Sequence, residues 1–151
     1  MFTFRKNERL SGFRLRKLLF TRGKQEFIYP FRVRYMSFTE EELSELGSDK
    51  MPLPRSARFQ YPAKCLVSVS RHNFRKASGR NRIKRLIKEA YRKNKTPFYA
   101  FLKDKGVYCM LALIYVGKRE PGYLETENSI KEVLNRLMLI LEKDRECKGS
   151  N

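Results

Sequence analysis

The feature that most constrains this chain is a basic stretch, residues 71–95, that has the spacing of an ordered helix. Lys and Arg fill eleven of its positions, and Glu89 is its one acidic residue. Its apolar residues recur at i, i+3, i+4 and i+7, which is one face of an α-helix. These apolar positions are Ile83, Leu86, Ile87 and Ala90. The stretch therefore predicts a helix docked on a core, with a cationic surface that suits a polyanionic partner.

The positive charge is unevenly distributed along the chain. The 151 residues carry a formal charge of +18, and 41% of them are hydrophobic, enough for a folded core. Residues 1–37 hold ten basic and two acidic residues, residues 57–95 hold thirteen and one, and residues 96–151 hold nine and eight. Two basic blocks predict one composite basic surface on a single domain spanning residues 1–151.

The cysteines give no sign of a metal site or a disulfide framework. Cys65, Cys109 and Cys147 are far apart, and none belongs to a CxxC pair or a Cys/His cluster. Cys65 and Cys109 lie in apolar, strand-like runs, which predicts buried free thiols. The odd count favours a reducing cytoplasm. No apolar run approaches the roughly 20 residues that span a bilayer, so we expect no membrane role.

The N-terminal part of the chain predicts a short helix and one strand. The helix covers residues 13–20, with Ser11 as its N-cap and Gly23 as a left-handed stop. Residues 26–36 alternate as a strand, and Pro30 places that strand at an edge or a bulge. One side of the strand is largely aromatic and is expected to be core. It becomes a base-stacking platform where no helix covers it.

Residues 37–56 differ in composition from their surroundings. Thr39 and Glu42 have the spacing of a capping box, which predicts a short acidic helix ending near Leu46. Glycine, serine and prolines then predict a loop. We interpret this segment as a peripheral acidic insertion. The sequence assigns it no function.

The rest of the chain predicts alternating strands and helices. Its segments are a strand at 57–70, the basic helix, a connector at 96–105, a central apolar strand at 107–116, a last helix capped by Thr126 or Ser129, and a frayed polar tail at 143–151. The fold class is therefore α+β, with a single sheet of about four strands packed with helices.

Catalytic patterns are missing from the sequence. His72 is the only histidine, and it has no nucleophile context around it. No paired carboxylates flank the basic region, and no GxxxxGK loop is present. We therefore expect no protein catalytic residues and no small-molecule substrate. Arginine side chains bind phosphates in bidentate fashion, so a nucleic acid is the expected partner.

Two segments resemble a known family. Leu66–Arg71 followed by Ala77–Arg92 closely resembles the signature of the protein subunit of bacterial ribonuclease P. Within it, Arg80-Asn81-Arg82 followed by x-Lys-Arg looks like that family's RNA-binding motif. Phe4–Leu10 and the Leu19-Phe20-x-x-Gly23 helix end look like the family's opening. The resemblance covers nearly the whole chain.

The resemblance implies an accessory role in a ribonucleoprotein enzyme. In this family the RNA subunit catalyses removal of the 5′ leader from precursor tRNA, with Mg²⁺ bound mainly by the RNA and none held by the protein alone. The protein binds the catalytic RNA, and a cleft between its basic helix and its sheet takes the leader. The implied element order is α-β-β-β-α-β-α with a left-handed crossover, which ordinary chirality rules do not predict.

Site residues follow from the same resemblance. The implied contacts with the RNA subunit are Arg71, Arg80, Asn81, Arg82, Lys84, Arg85, Lys88 and Arg92. The implied lining of the leader cleft is Arg16, Phe20, Phe31 and Tyr35, which requires some of these aromatic rings to be half exposed. Arg16 stands where the family often has an aromatic residue, and Arg71-His72 stands where it has two lysines. Ionic leader contact at Arg16 is therefore expected in place of stacking.

Other functions stay open on the sequence. A structural ribonucleoprotein component, such as a ribosomal-type RNA-binding protein, has the same composition and differs only in the motif. A DNA-binding regulator would prefer duplex DNA, and a protein-only nuclease would cut without an RNA subunit.

Overall fold

The computed structural model describes residues 4, 8–10, 13–46, 59 and 61–149, and it confirms an α+β fold built on one four-stranded sheet. The elements in chain order are α1 (Phe13–Arg22), β1 (Lys24–Ile28), β2 (Phe31–Thr39), α2 (Glu40–Leu46), β3 (Ala63–Val69), α3 (Ala77–Asn94), α4 (Thr96–Lys105), β4 (Val107–Tyr115) and α5 (Tyr123–Gly149). The handedness of the crossover between β3 and β4 stays a prediction.

β4 is a central strand, as its apolar sequence predicts. The strand order is β1-β2-β4-β3, with β2 antiparallel to β4 and β3 parallel to it. A strand with neighbours on both sides and helices near both faces is buried almost throughout, so it needs a nearly continuous apolar run. α3 and α4 lie between β3 and β4 in the chain and supply the long connection that parallel pairing requires.

The predicted single strand at residues 26–36 is in fact two strands. β1 and β2 form an antiparallel hairpin that reverses at Tyr29 and Pro30, joined by a cis peptide bond. Proline lacks a backbone N–H and fixes φ, so a turn accommodates it more readily than a strand interior does. The reversal places Phe27 on a different face from Phe31, although the alternation assigned both to one face.

One face of the sheet carries most of the core. α3, α4 and α5 pack there against alternate residues of the strands, including Val33 of β2, Val67 of β3 and Leu111 of β4. Three of the four predicted apolar positions of the basic stretch, Ile83, Ile87 and Ala90, are buried in α3. The fourth, Leu86, is only half-buried, and Tyr91 is buried in addition. The cysteines Cys65 and Cys109 are buried free thiols, as predicted.

The opposite face of the sheet has a smaller core. α1 contributes Leu15 and Leu19, which pack with Phe38, Met110 and Ala112 from the sheet. Partly buried Leu66 and Ile114 extend the same face beyond the fully buried cluster. The helices therefore cover one face fully and the other only in part.

Several predicted boundaries are corrected by the structure. The connector at 96–105 is the helix α4, with Pro97 in its first turn and Gly106 as its left-handed end at φ 66°. α5 begins at Tyr123, and the hydroxyls of Thr126 and Ser129 bond back to carbonyls one turn earlier instead of capping the helix. α5 also continues to Gly149, past the expected start of the polar tail.

Gly23 ends α1, but not by the left-handed conformation that was predicted. Among the described glycines only Gly106 has a positive φ. The reason for glycine at position 23 is space, because an added Cβ would lie 2.3 Å from the carbonyl oxygen of Leu19. The Gly23 N–H donates to that same oxygen at 2.8 Å. The predicted N-cap Ser11 lies outside the described residues.

The acidic helix α2 confirms the predicted capping pattern. Its first residue follows Thr39 directly, and the hydroxyl of Thr39 accepts a hydrogen bond from the backbone N–H of Glu42 at 3.2 Å. The loop predicted after Leu46 lies outside the described residues.

A buried polar cluster attaches the N-terminal segment to the helices. Glu8 is 1% exposed and Lys95 is 7% exposed, and the two form an ion pair. The hydroxyl of Tyr99 donates to Glu8 at 2.9 Å. The next residues pair with the edge strand β3, where the N–H of Leu10 donates to the carbonyl of Cys65 at 2.9 Å. Among the described helices, none is long and apolar enough to cross a membrane.

Candidate nucleic-acid interface

The polar side of α3 is exposed as the sequence predicts. Ser78, Asn81, Arg82 and Arg85 recur at i, i+3, i+4 and i+7, and all four are exposed. We call these four residues the outer face of α3. The buried residues of the helix lie on its other side, so packing fixes the helix axis while the outer face stays open to solvent. Three predicted contact residues, Asn81, Arg82 and Arg85, are therefore brought together on one rigid surface.

Arg80 lies apart from the outer face, although it belongs to the same motif. Its Nη1 donates hydrogen bonds to the carbonyl oxygens of Phe74 at 2.9 Å and Arg75 at 2.8 Å. The side chain is half-buried, so it secures the turn that leads into α3. Arg80 thus shapes the surface on which Asn81 and Arg82 are displayed.

Lys84 and Lys88 flank the outer face on the side of the N-terminal segment. Both are half-buried. Burial lowers the pKa of Lys88, and the nearby charges of Arg9 and Lys84 lower it further. Mutual repulsion of this kind marks a concentration of positive charge that an anion would relieve.

Arg92 closes the C-terminal end of this surface and already has an acidic partner. Its Nε lies 3.0 Å from Oε2 of Glu89, and its Nη2 lies 2.5 Å from Oε1. The hydrogen bond from Arg92 is the main cause of the lowered pKa of Glu89. Of the predicted contact residues on α3, Arg92 is the one held by a carboxylate of its own helix.

The turn before α3 is fixed to the end of β4. Arg71 is exposed in this turn. The side-chain amide of Asn73 donates to the carbonyl of Val116 at 3.0 Å, which holds the turn against the β4–α5 loop. That loop reaches the outer face of α3, where Oε1 of Glu120 lies 3.2 Å from Nε of Arg82. Arg71, Arg82 and the loop therefore share one end of the sheet.

Two residues predicted to line a leader cleft are core residues instead. Phe31 is 0% exposed and Tyr35 is 3% exposed, so neither ring has the half exposure that was expected. Phe31 packs edge-on against Tyr115, with ring centroids 5.8 Å apart. Burial is the main cause that raises the pKa of Tyr35 to about 12. Both rings lie on the sheet face that α3, α4 and α5 cover, so the structure contradicts their placement on an open surface.

The other two predicted cleft residues lie on α1 and are exposed. Phe20 is 40% exposed, and Arg16 is exposed one helical turn earlier. The guanidinium of Arg34 lies 5.9 Å from the centroid of the Phe20 ring and donates to the Phe20 carbonyl at 3.0 Å. Arg34 therefore fixes the end of α1, and the Phe20 ring with it, against the sheet.

A row of side chains crosses the sheet beside the end of α1. Strand register pairs Phe27 with Arg32, Arg32 with Ile114, and Ile114 with Ser68, so all four lie on one face. Phe27 is 55% exposed, Arg32 is exposed, and the other two are half-buried. We call these four residues the cross-sheet row. It is an open strip with an aromatic ring, a guanidinium, an apolar residue and a hydroxyl.

Comparison with known proteins identifies the family. A family model described as Ribonuclease P matches residues 4–138. The chain belongs to the ribonuclease P protein family. It is 34% identical over 119 residues to the "Ribonuclease P protein component" of Porphyromonas gingivalis strain W83, covering 79% of this chain and 74% of the relative. A protein of the same name from Chlorobium phaeobacteroides is 30% identical over 81 residues, covering 49% and 56%.

A solved structure shares the fold of this chain. The RNase P protein of Staphylococcus aureus superposes with a TM-score of 0.56 at 17% identity, covering 86% of this chain and 94% of that one. This likeness confirms the predicted fold class, and the family model confirms the predicted family membership. At this identity the likeness shows the fold alone.

The sequence did not predict the cross-sheet row. Phe27 was assigned to the same strand face as Phe31 because the alternation was carried through Pro30. Pro30 was the sequence signal for a turn, and a hairpin turn at Tyr29 and Pro30 puts the two rings on different faces. Ser68 and Ile114 gave no sequence signal, because a serine and an isoleucine in strands are ordinary residues there. Among the described residues, no cluster of three or more His, Cys, Asp or Glu side chains is placed to hold a metal ion.

Proposed function

We propose that this protein is the accessory subunit of a ribonuclease P holoenzyme, in which it binds the catalytic RNA and the 5′ leader of precursor tRNA. The observation that carries the proposal is the outer face of α3, where Asn81, Arg82 and Arg85 are exposed on a helix whose other side is buried. Family membership supports a role in ribonuclease P, and this surface is the proposed contact with its RNA.

The outer face of α3 suits the phosphates of a folded RNA. Guanidinium groups bind phosphate oxygens with two parallel hydrogen bonds, and Asn81 adds an amide beside Arg82 and Arg85. A packed helix holds these groups at fixed separations, so little conformational freedom is lost on binding. Neutralised phosphates release counterions, so the affinity falls steeply as salt rises.

The cross-sheet row suits a single-stranded leader. Exposed rings such as Phe20 and Phe27 stack on unpaired bases without requiring one sequence. Arg32 and Arg16 are exposed beside them and neutralise the phosphates between those bases. The row begins on β1 and ends on β3, so a strand of nucleotides laid along it would cross the whole sheet toward the turn before α3.

In this proposal the RNA carries out the cleavage with Mg²⁺ ligated mainly by RNA phosphates. The protein contributes positive charge that lowers the repulsion between the two RNA molecules. Such help is largest when Mg²⁺ is scarce, because the cations then leave more phosphate charge uncompensated.

An Arg85→Ala variant tests the proposal against an Arg136→Ala control. Arg85 lies on the outer face of α3, whereas Arg136 is an exposed arginine of α5. We expect Arg85→Ala to weaken binding to a bacterial ribonuclease P RNA by about ten-fold, the loss of a charge-assisted contact. Arg136→Ala removes the same charge and should change binding by less than about two-fold.

Cleavage of precursor tRNA at low Mg²⁺ provides the second measurement. The wild-type protein should stimulate the RNA subunit, and Arg85→Ala should need more protein to reach the same rate. A protein that binds the RNA but never stimulates cleavage would support a structural ribonucleoprotein role instead. Equal binding by wild type and a folded Arg85→Ala variant would overturn the proposed RNA surface.

A further inference from the structure

The β4–α5 loop places a carboxylate against the centre of the proposed RNA surface. Oε1 of Glu120 lies 3.2 Å from Nε of Arg82, and the two side chains are 44% and 64% exposed. Glu120 makes no other hydrogen bond or ion pair within the part of the chain that the structure describes. Arg82 is flanked on the outer face of α3 by Asn81 and Arg85, for which the described residues offer no carboxylate partner.

The loop backbone around Glu120 is held in place from both sides. The hydroxyl of Tyr115 donates to the carbonyl of Arg119 at 2.7 Å, and the amide of Asn73 fixes Val116. The next residue, Pro121, is buried. Arg119 is in turn paired with Glu125 at 2.5 Å. The Glu120 carboxylate is therefore presented to Arg82 by a positioned backbone, so the pair costs less conformational entropy than two free side chains would.

The pairing of Glu120 differs from that of the other acidic residue near this surface. Glu89 pairs with Arg92 and Lys93, three and four residues along the same helix, and such pairs support the helix itself. Glu120 comes from another segment, and its charged partner among the described residues is Arg82 of the motif. An exposed pair of this kind stabilises a fold little, so its effect falls mainly on what Arg82 binds.

We propose that Glu120 is an internal competitor that occupies Arg82 in the free protein and must be displaced by RNA phosphate. This inference rests on the proposed function and refines it. A carboxylate resembles a phosphate in charge and in its paired acceptor oxygens, but its single contact is weak. The catalytic RNA displaces it because Asn81 and Arg85 bind at the same time. An RNA that contacts the surface loosely lacks that support, so Glu120 favours the cognate RNA over others.

A Glu120→Gln variant tests the inference against a Glu142→Gln control. Glu142 is 48% exposed and pairs with Lys105 on α4, so the control removes the same charge from a similarly exposed carboxylate. We expect Glu120→Gln to bind the catalytic RNA about two- to five-fold more tightly, the range of an exposed ion pair. The gain should be larger for an unrelated structured RNA of equal length. Glu142→Gln should change neither affinity by more than about 1.5-fold.

A double-mutant cycle with Arg82→Ala isolates the pair. In the Arg82→Ala background, Glu120→Gln should no longer tighten binding, because the guanidinium for which Glu120 and phosphate compete is gone. Equal effects of Glu120→Gln and Glu142→Gln, or a Glu120→Gln gain that persists without Arg82, would overturn the inference. Failure of the proposed function is recognised separately, since Arg82→Ala and Arg85→Ala would then both leave RNA binding unchanged.

Discussion

The two faces of the sheet are built from alternate residues of the same strands but differ in how far helices cover them. On the face packed by α3, α4 and α5, the odd-numbered residues of β4 join a core cluster that extends over the sheet and all three helices. On the opposite face, six of the described residues form a smaller buried cluster, and α1 covers just part of the sheet. One face is thus a complete interior, whereas the other ends in an open strip.

This difference shows where a small, highly charged protein can place a binding surface. The covered face supplies most of the buried apolar area and therefore most of the stability. It also holds α3 by its apolar side, which leaves the outer face of α3 in solvent. The cross-sheet row can stay open because the fold does not depend on burying it.

The largest expected effect is loss of stability on the covered face. Phe31→Ala removes a ring that is 0% exposed and packs against Tyr115. We expect a decrease of about 3–5 kcal/mol in the free energy of unfolding, from lost burial and an unfilled cavity. Urea titration followed by circular dichroism measures it. A decrease below about 1 kcal/mol would mean that Phe31 is not a core residue and would restore it as a candidate for leader contact.

A second expected effect is a pH dependence carried by two buried thiols of the covered face. Burial raises the pKa of the Cys109 thiol from near 9 to about 12, and it raises the pKa of Cys65 as well. Below pH 9 the thiols are protonated in both the folded and the unfolded chain, so they cause no loss in the free energy of unfolding. Above pH 9 the thiols ionise in the unfolded chain but not in the fold. Each thiol therefore lowers the free energy of unfolding by about 1.4 kcal/mol per pH unit, up to about pH 12. Both thiols belong to the covered face.

Urea midpoints at pH 8 and pH 10 measure this loss. Cys109→Ala should show a smaller difference between the two pH values than the wild type, because one ionising group is removed. The smaller cluster under α1 has no titrating member, but buried Lys64 lies on the same face beside Met110, and burial lowers its pKa. The part of the pH dependence that Cys109→Ala removes is therefore the part assigned to the covered face. An unchanged pH dependence in Cys109→Ala would show that this thiol is accessible in the folded state.

The periodic parts of the fold were predictable from the sequence because their packing is regular. The spacing of Ile83, Ile87 and Ala90 predicted both the helix and the face that it buries. The apolar run of β4 predicted a central strand. The exposure of Arg82 and Arg85 followed from the same periodicity, whereas their contact with RNA comes from the family resemblance and stays a prediction.

The remaining parts of the site depend on contacts that periodicity does not encode. Arg80 reads as one more exposed cation, yet its hydrogen bonds to two carbonyls turn it inward. Phe31 and Tyr35 were moved to the surface by family resemblance, and the helix-covered face buries them. Glu120 lies 38 positions after Arg82 in the chain, and only the docking of the loop brings their charges together.

The smallest expected effect lies on the open face. Phe27→Ala removes a ring that is 55% exposed and paired in register with Arg32. We expect leader affinity to fall by about 1–2 kcal/mol, the lower part of the range for one base stacked on an aromatic ring. The free energy of unfolding should change by less than about 0.5 kcal/mol. The measurement compares precursor tRNA with mature tRNA, which lacks the leader, as ligands of the assembled holoenzyme.

Phe27→Tyr and Leu139→Ala give the controls for that measurement. Phe27→Tyr keeps an aromatic ring and should retain leader affinity, whereas Leu139→Ala removes an apolar residue that is 61% exposed on α5 and should have no effect. Weakening of precursor and mature tRNA to the same extent would place Phe27 outside the leader path. A destabilisation comparable to that of Phe31→Ala would instead remove the distinction between the two faces, because Phe27 would then be part of a core.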